Sequence, residues 1–353
     1  HYMGQFPMRA GSAPQDHTMN PSPPNLPAVR IIPREQHSIS RKQISSAALR
    51  VLYRLNEAGY AAYLVGGAVR DLLIGGQPKD FDVATDATPE DVRRLFRNCR
   101  LIGRRFRLAH VVFGPEIVEV ATFRGSGEGG EDNAGDRHVV DGRIVRDNVW
   151  GTLEEDALRR DFTVNALYYN IADFSVRDYV GGFDDVQRRV LRLIGDPVQR
   201  YREDPVRMLR AVRLSAKLDF AIAPEARAPF ADLGELLAQA PPARLFDETL
   251  KMFLAGSGLK SFRALEQSGL IGAVFPLTAR ALAFRGDSFR ALVEAGLAGT
   301  DARVAEGKSV TPAFLFAVLL WGAVRAQAER EIARGVEPNL AWQRVSNQVI
   351  AEQ

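Results

Sequence analysis

Two aspartates separated by one residue carry the strongest chemical signal in the sequence. They are Asp80 and Asp82, with Phe81 between them and Val83 after them. On a β-strand alternate side chains share a face, so both carboxylates would point one way and the two apolar side chains into the core. Adjacent carboxylates repel each other, and a divalent cation such as Mg²⁺ relieves that repulsion. The spacing therefore predicts a metal-binding strand, with an ordinary exposed strand or turn as the alternative for an isolated Asp-x-Asp.

A third carboxylate, Glu119, lies between two valines in an apolar stretch. The alternation puts Glu119 on the face opposite to Val118 and Val120. If this strand pairs beside the first, three carboxylates meet on one sheet surface, as in sites that hold two metal ions for in-line nucleotidyl transfer. We predict Asp80, Asp82 and Glu119 as catalytic residues and the two aspartates as metal ligands.

Paired glycines, Gly66 and Gly67, lie upstream of the aspartates, between a predicted strand and a predicted helix. Glycines at such a junction let backbone amides approach a phosphate closely, and the N-terminus of the helix favours negative charge. Arg70, one turn into that helix, can reach the same phosphates. A tight turn without a ligand is the alternative for the glycine pair alone.

Arginines and an acid are combined in Arg159-Arg160-Asp161, with Asn165 four residues later. The arginines can pair with phosphates. Asp161 either takes part in the chemistry or caps the helix that follows.

A second such combination begins at Asp204-Pro205. Pro205 suits the first turn of a helix, which places Arg207 and Arg210 three residues apart on one face. A carboxylate beside a guanidinium can recognise the edge of a base, because the first accepts and the second donates hydrogen bonds. The alternative is a surface ion pair between Asp204 and Arg207.

The elements expected to position these residues are a mixed α/β region followed by a helical region. Apolar periodicity predicts a mixed sheet with helices at the start, and helices from Leu153 onward apart from one strand pair. We therefore expect an α+β protein, with a mixed-sheet head and an all-helical neck and body. The expected boundaries are 1–37 for a disordered tail derived partly from an expression vector, 38–186 for the head, 187–262 for the neck and 263–353 for the body.

Composition indicates a globular protein with a polyanionic partner. The chain has 353 residues and a net charge of +3, with seven arginines and no acid between Arg93 and Arg107. Its one cysteine, Cys99, excludes an internal disulfide and fits a reducing compartment. The longest apolar stretch, at 313–324, is shorter than the roughly 20 residues of a membrane span and predicts a buried helix. We expect no membrane-spanning segment and a cytoplasmic location.

Five segments together resemble the class II tRNA nucleotidyltransferase and bacterial poly(A) polymerase family: 64–73, 79–85, 159–167, 178–185 and 203–210. The resemblance implies a polymerase-β-like head in which Asp80 and Asp82 bind Mg²⁺, with Mn²⁺ as a possible substitute and ATP as the substrate. It also implies that Asp161 is catalytic. The nucleotide-binding residues that it implies are Gly66, Gly67, Arg70, Arg160, Asn165, Asp204, Arg207 and Arg210.

The segments 101–110 and 117–125 resemble the poly(A) polymerase branch of that family. This branch implies template-independent polyadenylation of RNA 3′ ends, with RNA-decay proteins as possible partners. A CCA-adding tRNA nucleotidyltransferase is the first alternative, and a non-catalytic RNA-binding protein is the second. His110 is interpreted as a packed core histidine. Members of the branch carry a basic tail after the body, so we expect the body to be truncated.

Overall fold

Short stretches rich in apolar residues form the strands. Residues 108–113 and 116–122 largely alternate between buried and less buried side chains, whereas 62–65 and 167–170 are buried at most positions. The computed structural model describes residues 28–103, 107–125, 137–140, 143–147 and 149–353. The strands are β1 (Arg30–Ile32), β2 (Ala62–Val65), β3 (Asp82–Thr85), β4 (Cys99–Ile102), β5 (Leu108–Phe113), β6 (Glu116–Thr122), β7 (Arg137–Val140), β8 (Arg143–Asp147), β9 (Leu167–Asn170), β10 (Val176–Asp178), β11 (Val190–Leu191) and β12 (Ala221–Ile222).

Helices dominate the second half of the chain, as the periodicity predicts. They are α1 (Ser46–Glu57), α2 (Gly67–Leu73), α3 (Pro89–Leu95), α4 (Leu153–Arg159), α5 (Gly182–Arg188), α6 (Pro197–Glu203), α7 (Val206–Leu218), α8 (Pro224–Arg227), α9 (Phe230–Leu233), α10 (Pro242–Phe253), α11 (Gly258–Gln267), α12 (Ile271–Val274), α13 (Pro276–Ala305), α14 (Pro312–Ala333) and α15 (Pro338–Glu352). The α+β fold class is therefore confirmed.

Eight strands form one mixed sheet in the order β1-β10-β9-β2-β3-β6-β5-β4. β3 and β6 run parallel, while the other neighbouring strands run antiparallel. α1 packs on β2, β3 and β6, and α3 packs on β4, β5 and β6. The side chains of Val83, Val118 and Val111 are fully buried. On the opposite, open face, the side chains of Asp82, Glu119, His110 and Arg100 are at least partly exposed, while Ala84 of β3 packs in a second buried cluster with Val65 and Tyr168.

The helical part is arranged around α7, which packs against α10 and α11. α13 is interrupted at Gly286, whose φ of 57° lies in the left-handed region that glycine tolerates. α14 contains the apolar stretch 313–324, and its Leu315 and Leu319 are buried, which confirms the predicted core helix. No helix in the described part of the chain has the length and apolar character needed to cross a membrane.

The predicted disordered tail over residues 1–37 is wrong for residues 30–37. Arg30–Ile32 forms β1 and pairs with β10, and Ile32 is fully buried. His37 Nε2 also hydrogen-bonds the Phe174 carbonyl at 2.8 Å. Pro33 follows the strand without interrupting its hydrogen bonds, so a proline-rich composition did not prevent pairing. Residues 1–27 lie outside the described residues.

Candidate active site

Asp82 and Glu119 are cross-strand neighbours in the parallel register of β3 and β6. The next pair in this register, Val83 and Val120, is buried in the core. Because side chains alternate, both carboxylates lie on the open face. The predicted pairing of these two strands is confirmed. Asp80 is exposed in the loop that leads into β3, which begins at Asp82 rather than at Asp80 as predicted.

Partial burial and the negative charge of Glu119 raise the pKa of Asp82 to about 6, and Asp80 adds to the effect. Arg160 opposes it with its positive charge. A cation between these carboxylates would remove the repulsion that raises this pKa. Among the described residues, no three His, Cys, Asp or Glu side chains come close enough to form a full metal-ligand cluster. The pair nevertheless suits Mg²⁺, which takes one or two carboxylates and fills its other positions with water and substrate phosphates.

The Gly66-Gly67 turn lies beside this pair. Val65, the residue before the turn, is the antiparallel partner of Asp82. Gly66 has φ 75° and ψ −139°, a conformation that residues with a Cβ rarely adopt. The turn therefore presents its backbone next to the carboxylates, where a phosphate would need to lie.

Arg70 is buried beneath the turn. Its Nε and Nη2 donate to Asp71 at 2.9 and 2.7 Å, and its Nη1 donates to Asn165 at 2.6 Å. A Cβ on Gly67 would lie 3.3 Å from Arg70 Nη2. Arg70 thus supports the turn from inside the fold, and its contact with phosphate stays a prediction.

Arg160 lies beside the same turn, next to Gly66. A Cβ on Gly66 would stand 3.7 Å from Arg160 Nη1. Arg160 also donates to Asp156 at 3.0 Å and to the Tyr168 hydroxyl at 2.9 Å, and that hydroxyl donates to Asp156 at 2.7 Å. Burial disfavours the charge of Arg160, but Tyr168 and Asp156 outweigh it and raise its pKa. The guanidinium therefore remains a fixed positive charge at the turn.

Asp161 joins the head to the helical part. Its Oδ2 accepts from Arg210 Nε at 2.8 Å and Nη2 at 2.5 Å, and its Oδ1 accepts from the Phe162 amide at 2.8 Å. Burial alone would raise the pKa of Asp161, but Arg210 holds it below its usual value. The following 3₁₀ turn has no side-chain cap, so the capping alternative is wrong. The predicted catalytic role of Asp161 stays a prediction, and in this arrangement both of its oxygens accept hydrogen bonds.

Asp204 and Arg207 lie at the N-terminus of α7, where Pro205 precedes the first turn. The alternative of an ion pair between them is wrong. Asp204 instead accepts two bonds from Arg244, at 2.9 and 2.7 Å. Arg207 donates to Glu203 at 3.2 Å and to a backbone carbonyl at 2.7 Å. Each side chain is therefore held by its own partner, Asp204 by Arg244 of α10 and Arg207 by Glu203 of α6.

Two residues of the site were not predicted. His110, interpreted as a core histidine, lies on the open face, with its Nε2 3.3 Å from Glu119 Oε2. The buried neighbours Ala109 and Val111 could have indicated this face by alternation. Arg244 is 40 residues from Asp204, and no sequence pattern connects the two.

Two sequence families match the chain. "Poly A polymerase head domain" matches residues 62–192, and "Probable RNA and SrmB- binding site of polymerase A" matches residues 219–282. Poly(A) polymerase I of Salmonella typhi is 57% identical over 306 residues, which are 86% of this chain and 66% of that protein. Poly(A) polymerase I of Haemophilus influenzae is 49% identical over 85% of this chain and 67% of that protein. The chain thus spans about two thirds of the length of these relatives.

CCA-adding enzymes are also similar, at lower identity. That of Lactobacillus gasseri is 37% identical over 65% of this chain and 55% of that protein. The crystal structure of the Bacillus stearothermophilus CCA-adding enzyme in complex with CTP has a TM-score of 0.57 and 27% identity, covering 86% of this chain and 82% of that one. Higher identity to the polymerases, together with the head-domain match, shows that the chain belongs to the bacterial poly(A) polymerase family, which has a polymerase-β-like nucleotidyltransferase fold.

Proposed function

We propose that the chain transfers AMP from ATP to the 3′-hydroxyl of RNA without a template and releases pyrophosphate. One observation carries the proposal: Asp82 and Glu119 are held in register beside the Gly66 turn, in a chain 57% identical to a poly(A) polymerase over 306 residues. Carboxylates next to a backbone turn suit phosphoryl transfer, in which the protein mainly positions the reactants and balances charge.

The carboxylates and the turn would divide the work of holding the triphosphate. Asp82, Glu119 and the exposed Asp80 would hold divalent metal ions, for which we propose Mg²⁺. Bound metal would supply Lewis-acid stabilisation for the charge that develops on the reacting oxygens. The Gly66 turn would contact phosphate through its backbone, and Arg160 would place a fixed positive charge beside it. Hydrogen bonds to Asp156 and to the Tyr168 hydroxyl fix the orientation of the Arg160 guanidinium.

Base selection would fall to Asp204 and Arg207. A carboxylate can accept from the exocyclic amino group of adenine, and a guanidinium can donate to the neighbouring ring nitrogen. Cytosine offers the same donor and acceptor on a smaller ring, so discrimination depends on where the two side chains are held. Arg244 fixes the Asp204 carboxylate through two hydrogen bonds. This restraint supports a site built for one ring size, and we propose ATP as the nucleotide.

RNA 3′ ends are the proposed macromolecular substrate. The match of residues 219–282 to a region described as RNA-binding supports an RNA contact on the helical part. We further propose RNA-decay proteins as protein partners and the cytoplasm as the location, which the single thiol, Cys99, supports.

The test is extension of a labelled generic RNA and of a tRNA lacking its CCA end, with Mg²⁺ and each NTP supplied separately. A long ladder from ATP on both RNAs is expected. Asp82→Asn should abolish it, whereas Lys260→Ala, which removes an exposed ion pair with Asp219, should not.

Other outcomes would assign other functions. Two C additions followed by one A, confined to the tRNA, would move the protein to the CCA-adding branch. RNA binding without any extension by the wild-type protein would overturn nucleotidyl transfer and favour a binding role.

A further inference from the structure

The polar residues on the open face of the sheet form one continuous row across four strands. The register pairs Asp82 of β3 with Glu119 of β6. It continues from Glu119 to His110 of β5, and from His110 to Arg100 of β4. Asp82 and Glu119 belong to the proposed active site, whereas His110 contacts no substrate in that proposal. His110 and Arg100 have no role in that proposal, and His110 is the one that contacts Glu119.

His110 contacts Glu119 from the side opposite to Asp82. Its Nε2 lies 3.3 Å from Glu119 Oε2, and the two residues are directly paired in the antiparallel register of β5 and β6. The His110 side chain is 23% exposed and that of Glu119 is 42% exposed. When the imidazole carries its hydrogen on Nε2, this N–H donates to Oε2 and leaves Oε1 of Glu119 available to a cation. One oxygen of the Glu119 carboxylate thus accepts from His110, and the other faces the proposed cation site.

Glu119 needs such a restraint because nothing about a glutamate on an open strand fixes its carboxylate. Its side chain has three rotatable bonds, and ordering a rotamer-rich side chain costs conformational entropy. The negative charge of Asp82 also repels it. A neutral imidazole can order the carboxylate without cancelling its charge, whereas a lysine or arginine there would compete with the cation. Partners of this kind behind a metal ligand set its orientation.

We propose that His110 is a positioning residue that holds the Glu119 carboxylate in the orientation a divalent cation at Asp82 requires. The inference deepens the proposed function, on which it rests for the role of Glu119 as a cation ligand. His110 itself neither binds the cation nor exchanges a proton with substrate.

Mn²⁺ binding to the full chain without RNA or ATP, followed by electron paramagnetic resonance, tests the proposal. His110→Leu removes the donor and should weaken Mn²⁺ binding by about tenfold or more. His110→Gln keeps an N–H of similar reach and should stay within about threefold of wild type. Val112→Thr, a change two residues along the same strand and face, is the matched control and should bind as wild type does.

A double-variant cycle separates positioning from a general structural effect. In a Glu119→Gln background, His110→Leu should cause no further loss of Mn²⁺ binding, since there is no carboxylate left to position. Equal losses in both backgrounds, or wild-type binding by His110→Leu, would overturn the proposal. Should His110→Leu not fold by circular dichroism, His110→Asn takes its place, because its shorter amide falls short of Glu119.

The polymerase assay distinguishes failure of this inference from failure of the proposed function. Normal Mn²⁺ behaviour in a wild-type protein that extends no RNA would remove the proposed function and keep the positioning role. Active wild-type protein whose His110→Leu variant has an unchanged kcat at saturating ATP and limiting Mg²⁺ would remove the positioning role and keep the function.

Discussion

Arg210 of α7 donates two hydrogen bonds to a single oxygen of Asp161, which lies 49 residues earlier, directly after α4 and Arg160. Both partners are largely buried, so the bond is protected from solvent screening. It fixes the segment that carries Arg160 against the helix that carries Arg207. The two halves of the proposed nucleotide site are therefore held together by a contact that needs no nucleotide.

Removing that contact should destabilise the protein. Arg210→Leu leaves the Asp161 carboxylate without its main partner, and we expect the free energy of unfolding in urea to fall by about 2–3 kcal/mol at pH 7. Arg210 holds the pKa of Asp161 below its usual value, so the loss should disappear as pH falls through that lowered pKa. Lys260→Ala, at an exposed pair with Asp219, should cost less than about 1 kcal/mol. Equal losses in the two variants would contradict this account.

Asp82→Asn should stabilise the metal-free protein while abolishing extension. The folded-state pKa of Asp82, raised to about 6, means that the folded protein binds this proton more tightly than the unfolded chain does. Stability therefore decreases as pH rises from about 4 to 6, and the charged form is a cost above that range. Thermal unfolding in EDTA should give a higher Tm for Asp82→Asn at pH 7.5 and no difference near pH 4. A lower Tm at pH 7.5 would refute the proposed repulsion between Asp82 and Glu119.

Divalent-ion binding should weaken as pH falls below the pKa of Asp82. A carboxyl group must lose its proton before it can bind a cation, so affinity should drop about tenfold per pH unit below pH 6 and level off above pH 7. Titration with Mn²⁺ between pH 5 and 8 measures this directly. A pH-independent affinity over that range would show that Asp82 is not a ligand.

Gly66→Ala should raise the KM for ATP. The substitution forces a residue with a Cβ into φ 75°, which costs roughly 1–3 kcal/mol and distorts the backbone that would contact phosphate. Gly59→Ala is the matched control, because Gly59 has φ 89° and open space around it but lies just after α1, outside the proposed site. Both variants should lose stability, and only Gly66→Ala should lose ATP affinity in steady-state kinetics. An equal KM in the two variants would argue against phosphate contact at the turn.

Arg244→Ala should reduce the preference for ATP over CTP. Without Arg244 the Asp204 carboxylate is free to adopt positions that suit the smaller cytosine ring. The ratio of kcat/KM for ATP to kcat/KM for CTP should therefore fall by about tenfold. Arg263→Ala breaks a comparable exposed two-bond pair with Glu294 and should leave the ratio unchanged. An intact preference in Arg244→Ala would assign the discrimination to other residues.

Local patterns predicted the parts of the site that depend on neighbouring residues. Alternation placed Asp82 and Glu119 on one face, since a strand gives each residue only two sides. Residue spacing could not place the partners of Asp161 or Asp204, because those contacts join segments 49 and 40 residues apart and depend on how helices pack on the head. His110 was misinterpreted for a different reason: it was considered alone, although its apolar neighbours Ala109 and Val111 place it on the opposite face of the strand.

Arg30–Ile32 ends the sheet on the side away from the proposed site, and this has a practical consequence for anyone shortening the protein. A version beginning at residue 38, the boundary that composition favours, would leave the outer edge of β10 unpaired, with β9 still on its other side, and would remove the fully buried Ile32. An unpaired strand edge is a template for adding another chain. Such a shortened protein should self-associate even though every residue of the proposed site is intact. Its aggregation in solution would therefore not be evidence against the proposed nucleotidyl transfer.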